Sequence, residues 1–142
     1  MGSISKNSSN SFQCIDALEV SLSIEKQGFI FYDKAAKSAT DPRVRDVFLY
    51  LANEEKEHIQ SLQNKTRFLQ PALANKATSR KSGTESFIKN EILGKVFPVP
   101  GDDKNEVHIA HSDFEALTIG IAAEMRSIEV LNQLMASEKK VD

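Results

Sequence analysis

The chain has 142 residues, 40% hydrophobic and 27% charged, and its 18 Lys and Arg against 20 Asp and Glu leave a formal net charge of −2. This is one domain's worth of soluble globular protein, and the near-balance of charge gives no electrostatic case for nucleic acid or an anionic membrane. No apolar run approaches the roughly 20 residues that cross a bilayer. Cys14 is the only cysteine, which excludes an intrachain disulfide, a Cys-x-x-Cys redox pair and a thiolate zinc site.

The first stretch, Met1 to Asn10, is polar and lacks the apolar centre of a secretory signal. Residues 1–15 are therefore expected to form a disordered N-terminal tail, with a lone thiol suited to a reducing cytoplasm. The domain proper is expected over 16–142. Its first helix is predicted from Asp16, with Glu19 in capping-box register, to about residue 38. Its inward stripe reads Leu18, Leu22, Glu25, Phe29, Tyr32 and Ala36. Asp41-Pro42 opens a second helix, an N-cap followed by a proline at the first helical position. That helix is predicted to about residue 65, with the stripe Val44, Phe48, Leu51, Glu55, His58 and Leu62. The short link around Thr40 makes the pair an antiparallel hairpin.

About 45 residues then separate the second helix from the third, too many for an ordinary loop. Within them 84–93 is predicted as a short amphipathic helix whose Phe87, Ile88, Ile92 and Leu93 cover one end of the bundle. Gly94 and Pro98-Val99-Pro100-Gly101 end it. The third helix is predicted from the capping box Ser112-Asp113-Phe114-Glu115 to about residue 137, with the stripe Leu117, Ile121, Glu124, Ile128, Leu131 and Met135. That stripe repeats the first helix's at an offset of 99 positions, which also pairs Ala17 with Ala116, Leu18 with Leu117 and Ser38 with Ser137. A crossover this long lets the third helix start at the same end as the second. The fold class that follows is all-α, a ferritin-like antiparallel helix bundle with one long crossover.

The acids on these stripes need a reason, because an unpaired carboxylate in a core is costly. Glu25 and Glu55 lie at similar distances from the hairpin turn. At about 1.5 Å rise per residue they reach nearly equal height, and Glu124 is near the middle of its own helix. Glu55 and His58, three apart, share one helical face. Each acid alone reads equally as a stripe-edge residue reaching water, and His58 alone as a hydrogen-bonded core histidine. Their shared level and the repeat favour a bound cation. Oxygen-rich ligation with few imidazoles suits iron or manganese better than structural zinc. Tyr32 reads as packing or as a hydroxyl beside the site. Glu54, Glu57, His108 and His111 read as solvated surface.

Three segments resemble the rubrerythrin family of ferritin-like diiron-carboxylate proteins: Ile24-Glu25-Lys26-Gln27-Gly28-Phe29-Ile30-Phe31-Tyr32, Leu51-Ala52-Asn53-Glu54-Glu55-Lys56-Glu57-His58, and Ala116-Leu117-Thr118-Ile119-Gly120-Ile121-Ala122-Ala123-Glu124-Met125-Arg126-Ser127. The resemblance implies a four-helix bundle holding two irons, with Glu25, Glu55, His58 and Glu124 as ligands and Glu55 and Glu124 as bridges. It also implies oxidation of ferrous iron with reduction of hydrogen peroxide or dioxygen. The family's second Glu-x-x-His would fall, by the repeat offset, at positions 154 and 157, past Asp142. Three of the four long helices are thus expected here, in a domain incomplete at its C-terminus. A homo-oligomer, a dimer with helices exchanged between subunits, is one way to complete it. Without a rubredoxin module, turnover calls for an external electron donor such as a rubredoxin-like protein. The competing readings are an iron storage or delivery module without turnover, and a structural assembly partner with a vestigial half-site.

Overall fold

The computed structural model of the chain describes residues 14–73, 83–98 and 110–139. Helix α1 spans Cys14–Ser38, α2 spans Pro42–Leu73 and α3 spans Asp113–Lys139. A helical turn over 83–87 runs into a π-helix, Ile88–Ile92. The bundle is all-α, and no fourth long helix occurs among the described residues. Residues 1–13 of the expected tail lie outside them, as do His108 and Val99-Pro100-Gly101.

The start of α1 departs from the capping reading. Asp16 is inside the first turn and 2% exposed, and its Oδ1 accepts a 2.7 Å hydrogen bond from Thr84 Oγ1. A buried carboxylate with a donor is stable where an unpaired one is not, so Asp16 anchors the crossover instead of capping a helix. Asp41 does cap α2: its Oδ1 accepts the Arg43 backbone N–H at 2.8 Å. That helix continues eight residues past the predicted end, because from Arg43 to Gln70 it meets neither glycine nor proline.

The turn between α1 and α2 is tied to the start of α3. Asp113 accepts from the Thr40 and Asp41 backbone N–H groups at 3.1 and 2.9 Å and from Thr40 Oγ1 at 3.1 Å. Ser112 Oγ accepts the Glu115 N–H, and Glu115 in return accepts from the His111 N–H, a reciprocal cap. α3 therefore begins at the same end as α2 and runs antiparallel to α1.

The crossover does not cover an end of the bundle, as the sequence reading had it. It lies along α1, from the Thr84–Asp16 bond at the helix start to Phe97 opposite Gly28 at mid-helix. The π-helical bond from Leu93 N to Ile88 O (2.9 Å) and the left-handed Gly94 (φ 75°) make this bend. Ile92, Val96 and Phe97 are buried by it, whereas Leu93 is turned out to water.

The core is dominated by α1 against α2, through Val20, Ile24, Phe31, Tyr32, Phe48 and Ala52. Phe97 completes an aromatic group, 5.7 Å from both Phe31 and Tyr32, and Tyr32 stacks on Phe48 at 6.1 Å. Each such side chain is worth about 1.5–3 kcal/mol by burial, enough together to offset an acid layer set beside them. α3 differs from its predicted stripe. It buries the small residues Ala116, Gly120, Ala123 and Ser127 against α1, while Ile121, Glu124, Ile128 and Met135 face water. Of the predicted stripe only Leu117 and Leu131 pack against the core, half-buried, and Leu134 beside them is buried.

Candidate metal centre

Glu25, on the face of α1 next to the hydrophobic core, meets Glu55 and His58 of α2. One ligand atom from each of the three lies within 4.8 Å of the others. The hairpin is responsible: two helices joined by a tight turn put residues equally far from it at one height, and the three-residue spacing turns Glu55 and His58 to one side. His58 Nδ1 lies 3.3 Å from Glu25 Oε2 and Nε2 lies 4.0 Å from Glu54 Oε2. Glu54 is thus half-buried beside the imidazole and not free in solvent, a correction to its reading as surface. Glu57 and His111 are exposed, as read.

The three differ in exposure in a way that gives the centre an inside and an outside. Glu55 is buried at 7% and accepts no hydrogen bond among the described residues, while the His58 side chain is 53% exposed. Glu25 is between them, and burial pushes its carboxyl above the ordinary 4.5, against the lowering effect of His58 and with a further push from Glu124. Two carboxylates and one neutral imidazole at this spacing are a donor set for a divalent cation. A cation there would offset the two carboxylate charges. These residues fit iron or manganese.

Glu124 stands apart from the triad. Its Oε1 accepts a 2.7 Å hydrogen bond from Tyr32 Oη, and the residue is exposed on α3. Tyr32 is 2% exposed, so its hydroxyl acts from inside the core, and burial together with the Glu124 and Glu25 carboxylates drives its pKa far above the ordinary 10.0. It stays a donor at any physiological pH. The structure thus gives Tyr32 both roles, packing through its ring and holding Glu124 through its hydroxyl.

Two glycines and Phe97 shape the centre and were not singled out from the sequence. A Cβ at Gly28 would meet the Phe97 ring at 3.1 Å and Glu55 Cδ at 3.3 Å. A Cβ at Gly120 would meet Tyr32 Cε1 at 3.3 Å. Both glycines let an inward side chain lie against a helix backbone. A glycine within an otherwise strong helical stripe is the signal that could have found them. Phe97 carries no such signal, because only the bend of the crossover places it here.

The family model for rubrerythrin matches residues 16–142, nearly the whole described chain. No curated protein and no solved structure gives a significant match. No described helix is long and apolar enough to cross a membrane.

Proposed function

Since the chain belongs to the rubrerythrin family, whose members are diiron-carboxylate proteins, we propose that it oxidises ferrous iron while reducing hydrogen peroxide or dioxygen. The observation that carries this reading is the convergence of Glu25, Glu55 and His58, with the Glu55 carboxylate buried. Glu25, Glu55, His58 and Glu124 would hold the metal, with two iron ions in a complete centre and manganese as the competing occupant. When bound, ferrous ions supply the electrons, two of them covering the reduction of one peroxide and two protons to two waters.

The chain's own residues set the conditions. Phe97, which meets Gly28 beside Glu55 Cδ, keeps water from the inner side of Glu55 and so strengthens charge interactions there. His58 lies at the open side, where ion and oxidant enter. The Tyr32 hydroxyl keeps its proton and orients Glu124 toward α1. A rubredoxin-like protein would be the donor for the return to ferrous iron. The reading includes action in the cytoplasm, without nucleic acid or membrane.

A second reading, iron storage or delivery without turnover, is favoured by the separation of Glu124 from the triad, which gathers three ligands around one position. Anaerobic titration with ferrous iron, followed by hydrogen peroxide, separates the two. Two irons per centre, an oxo-bridged ferric absorption band and rapid peroxide loss are the expected result. Tight iron binding with negligible peroxide consumption selects storage, and no iron binding at all removes both readings.

A further inference from the structure

Glu54 stands on the outer side of the imidazole that closes the centre. It precedes His58 by four residues on α2, so the two side chains are neighbours on one face of the helix. The His58 ring is held between two carboxylates. Its Nδ1 lies 3.3 Å from Glu25 Oε2, and its Nε2 lies 4.0 Å from Glu54 Oε2. Among the described residues no other group pairs with Nε2. Glu57, next to His58 in sequence and exposed, forms no pair with the ring among those residues.

This arrangement decides which nitrogen can serve an ion. Nδ1 is the one beside Glu25, so its lone pair is the donor that the imidazole offers to the centre. A neutral imidazole carries one proton, on one nitrogen or the other. Glu25 attracts that proton to Nδ1, where it occupies the lone pair and blocks ligation. Glu54 attracts it to Nε2, where it leaves Nδ1 free. A ring nitrogen that donates to a carboxylate also makes the opposite nitrogen more basic and fixes the ring's rotation. His58 depends on such a partner because its side chain is 53% exposed and packing restrains it little. The separation of 4.0 Å is longer than a hydrogen bond, and rotation of the half-buried Glu54 side chain closes it.

We propose that Glu54 is a positioning residue for His58: its carboxylate accepts the Nε2 proton and so presents Nδ1 to a divalent cation shared with Glu25 and Glu55. The inference rests on the metal-binding reading above, and titration of the unaltered chain tells the two apart. In anaerobic calorimetry of the full chain with ferrous iron, Glu54→Ala weakens binding by about 10-fold or more at unchanged helical circular dichroism. Glu54→Gln, whose amide oxygen still accepts the Nε2 proton, stays within about 3-fold of the unaltered chain. Glu57→Gln, which removes a neighbouring charge without touching the ring, leaves affinity unchanged. Nitrogen NMR of the zinc-loaded chain shows Nδ1 ligated and Nε2 protonated, with the Nε2 proton exchanging faster in Glu54→Ala than in Glu54→Gln. Equal losses in Glu54→Ala and Glu54→Gln overturn the proposal, since Glu54 then acts through its charge alone. Ligation through Nε2 overturns it too. Full affinity in Glu54→Ala overturns this inference and leaves the metal reading standing, whereas an unaltered chain that binds no iron removes both.

Discussion

The two interfaces of α1 are made on different terms, and the centre spans both. Against α2, α1 packs large side chains, Ile24, Phe31 and Tyr32 on Phe48 and Leu51, and brings Glu25 to Glu55 and His58. Against α3 the close approach is made by small residues, Ala116, Gly120 and Ala123, with Leu117 and Leu131 half-buried and Leu134 buried alongside, and Glu124 is held through the Tyr32 hydroxyl. Large interlocked side chains resist rotation and sliding, so the hairpin holds its three donors in place before any ion arrives. The small-residue face is shallow, and α3 owes its position more to the Asp113 bonds at its start and to the Arg126 hydrogen bond to the Lys95 carbonyl than to interlocking. The lesson is that the hairpin half is preorganised and the α3 half is adjustable.

Metal affinity is the largest measure of that difference. Glu55→Ala or His58→Ala should weaken ferrous iron binding by more than about 100-fold, beyond the 10–100-fold typical of residues that merely support a ligand. Glu124→Ala should cost only about 10-fold, and calorimetric titration compares them. Equal losses would mean that α3 holds the metal as firmly as the hairpin does.

Next in size are the glycines. Gly28→Ala gains up to about 1 kcal/mol of helix propensity but drives a Cβ against the Phe97 ring and Glu55 Cδ at 3.1 and 3.3 Å. Overpacking of this kind costs about 1–3 kcal/mol, so denaturant melts should show net destabilisation. Gly83→Ala, with nothing within 4 Å of its Cβ, is the reference and should be neutral or stabilising. Gly120→Ala should fall between them if the α3 side is the more yielding.

Tyr32→Phe should cost about 1 kcal/mol, the ordinary net worth of one hydrogen bond, because the exposed Glu124 turns to water once released. A loss above about 3 kcal/mol in urea melts would show Glu124 to be stranded, and α3 to be as rigid as α2.

The smallest effect is a pH dependence of opposite sign at the two regions. Burial raises Glu25, so the folded, metal-free chain binds that proton more tightly than the unfolded one. Its contribution to stability is present below the ordinary 4.5 and is lost as pH rises through the raised value. Asp113 is lowered by the Asp41 and Thr40 N–H groups, so its contribution is present above the ordinary 3.8 and is lost as pH falls through the lowered value. Glu25→Gln should therefore raise the metal-free Tm at pH 7, by roughly 2–4 °C per kcal/mol of charge burial removed, with the gain vanishing by pH 4. A gain that persists at pH 4 would point to packing instead of charge.

Much of this was legible in the residues. Stripe periodicity and caps located the three long helices, the short link at Thr40 implied the hairpin, and equal distances from that link put Glu25, Glu55 and His58 at one height. Those are properties of local geometry, because a helix's rise and period do not depend on its neighbours. What needed the tertiary structure was everything set by a neighbour's identity. Asp16 became an anchor because Thr84 reached it, and Phe97 became a wall because Gly94 bent the crossover. α3 carries two usable faces, one small and one large, and its sequence ranks the large one first by hydrophobicity. Close backbone approach at Gly120 chose the small one, since only there can α1 come near enough for Tyr32 to bond Glu124.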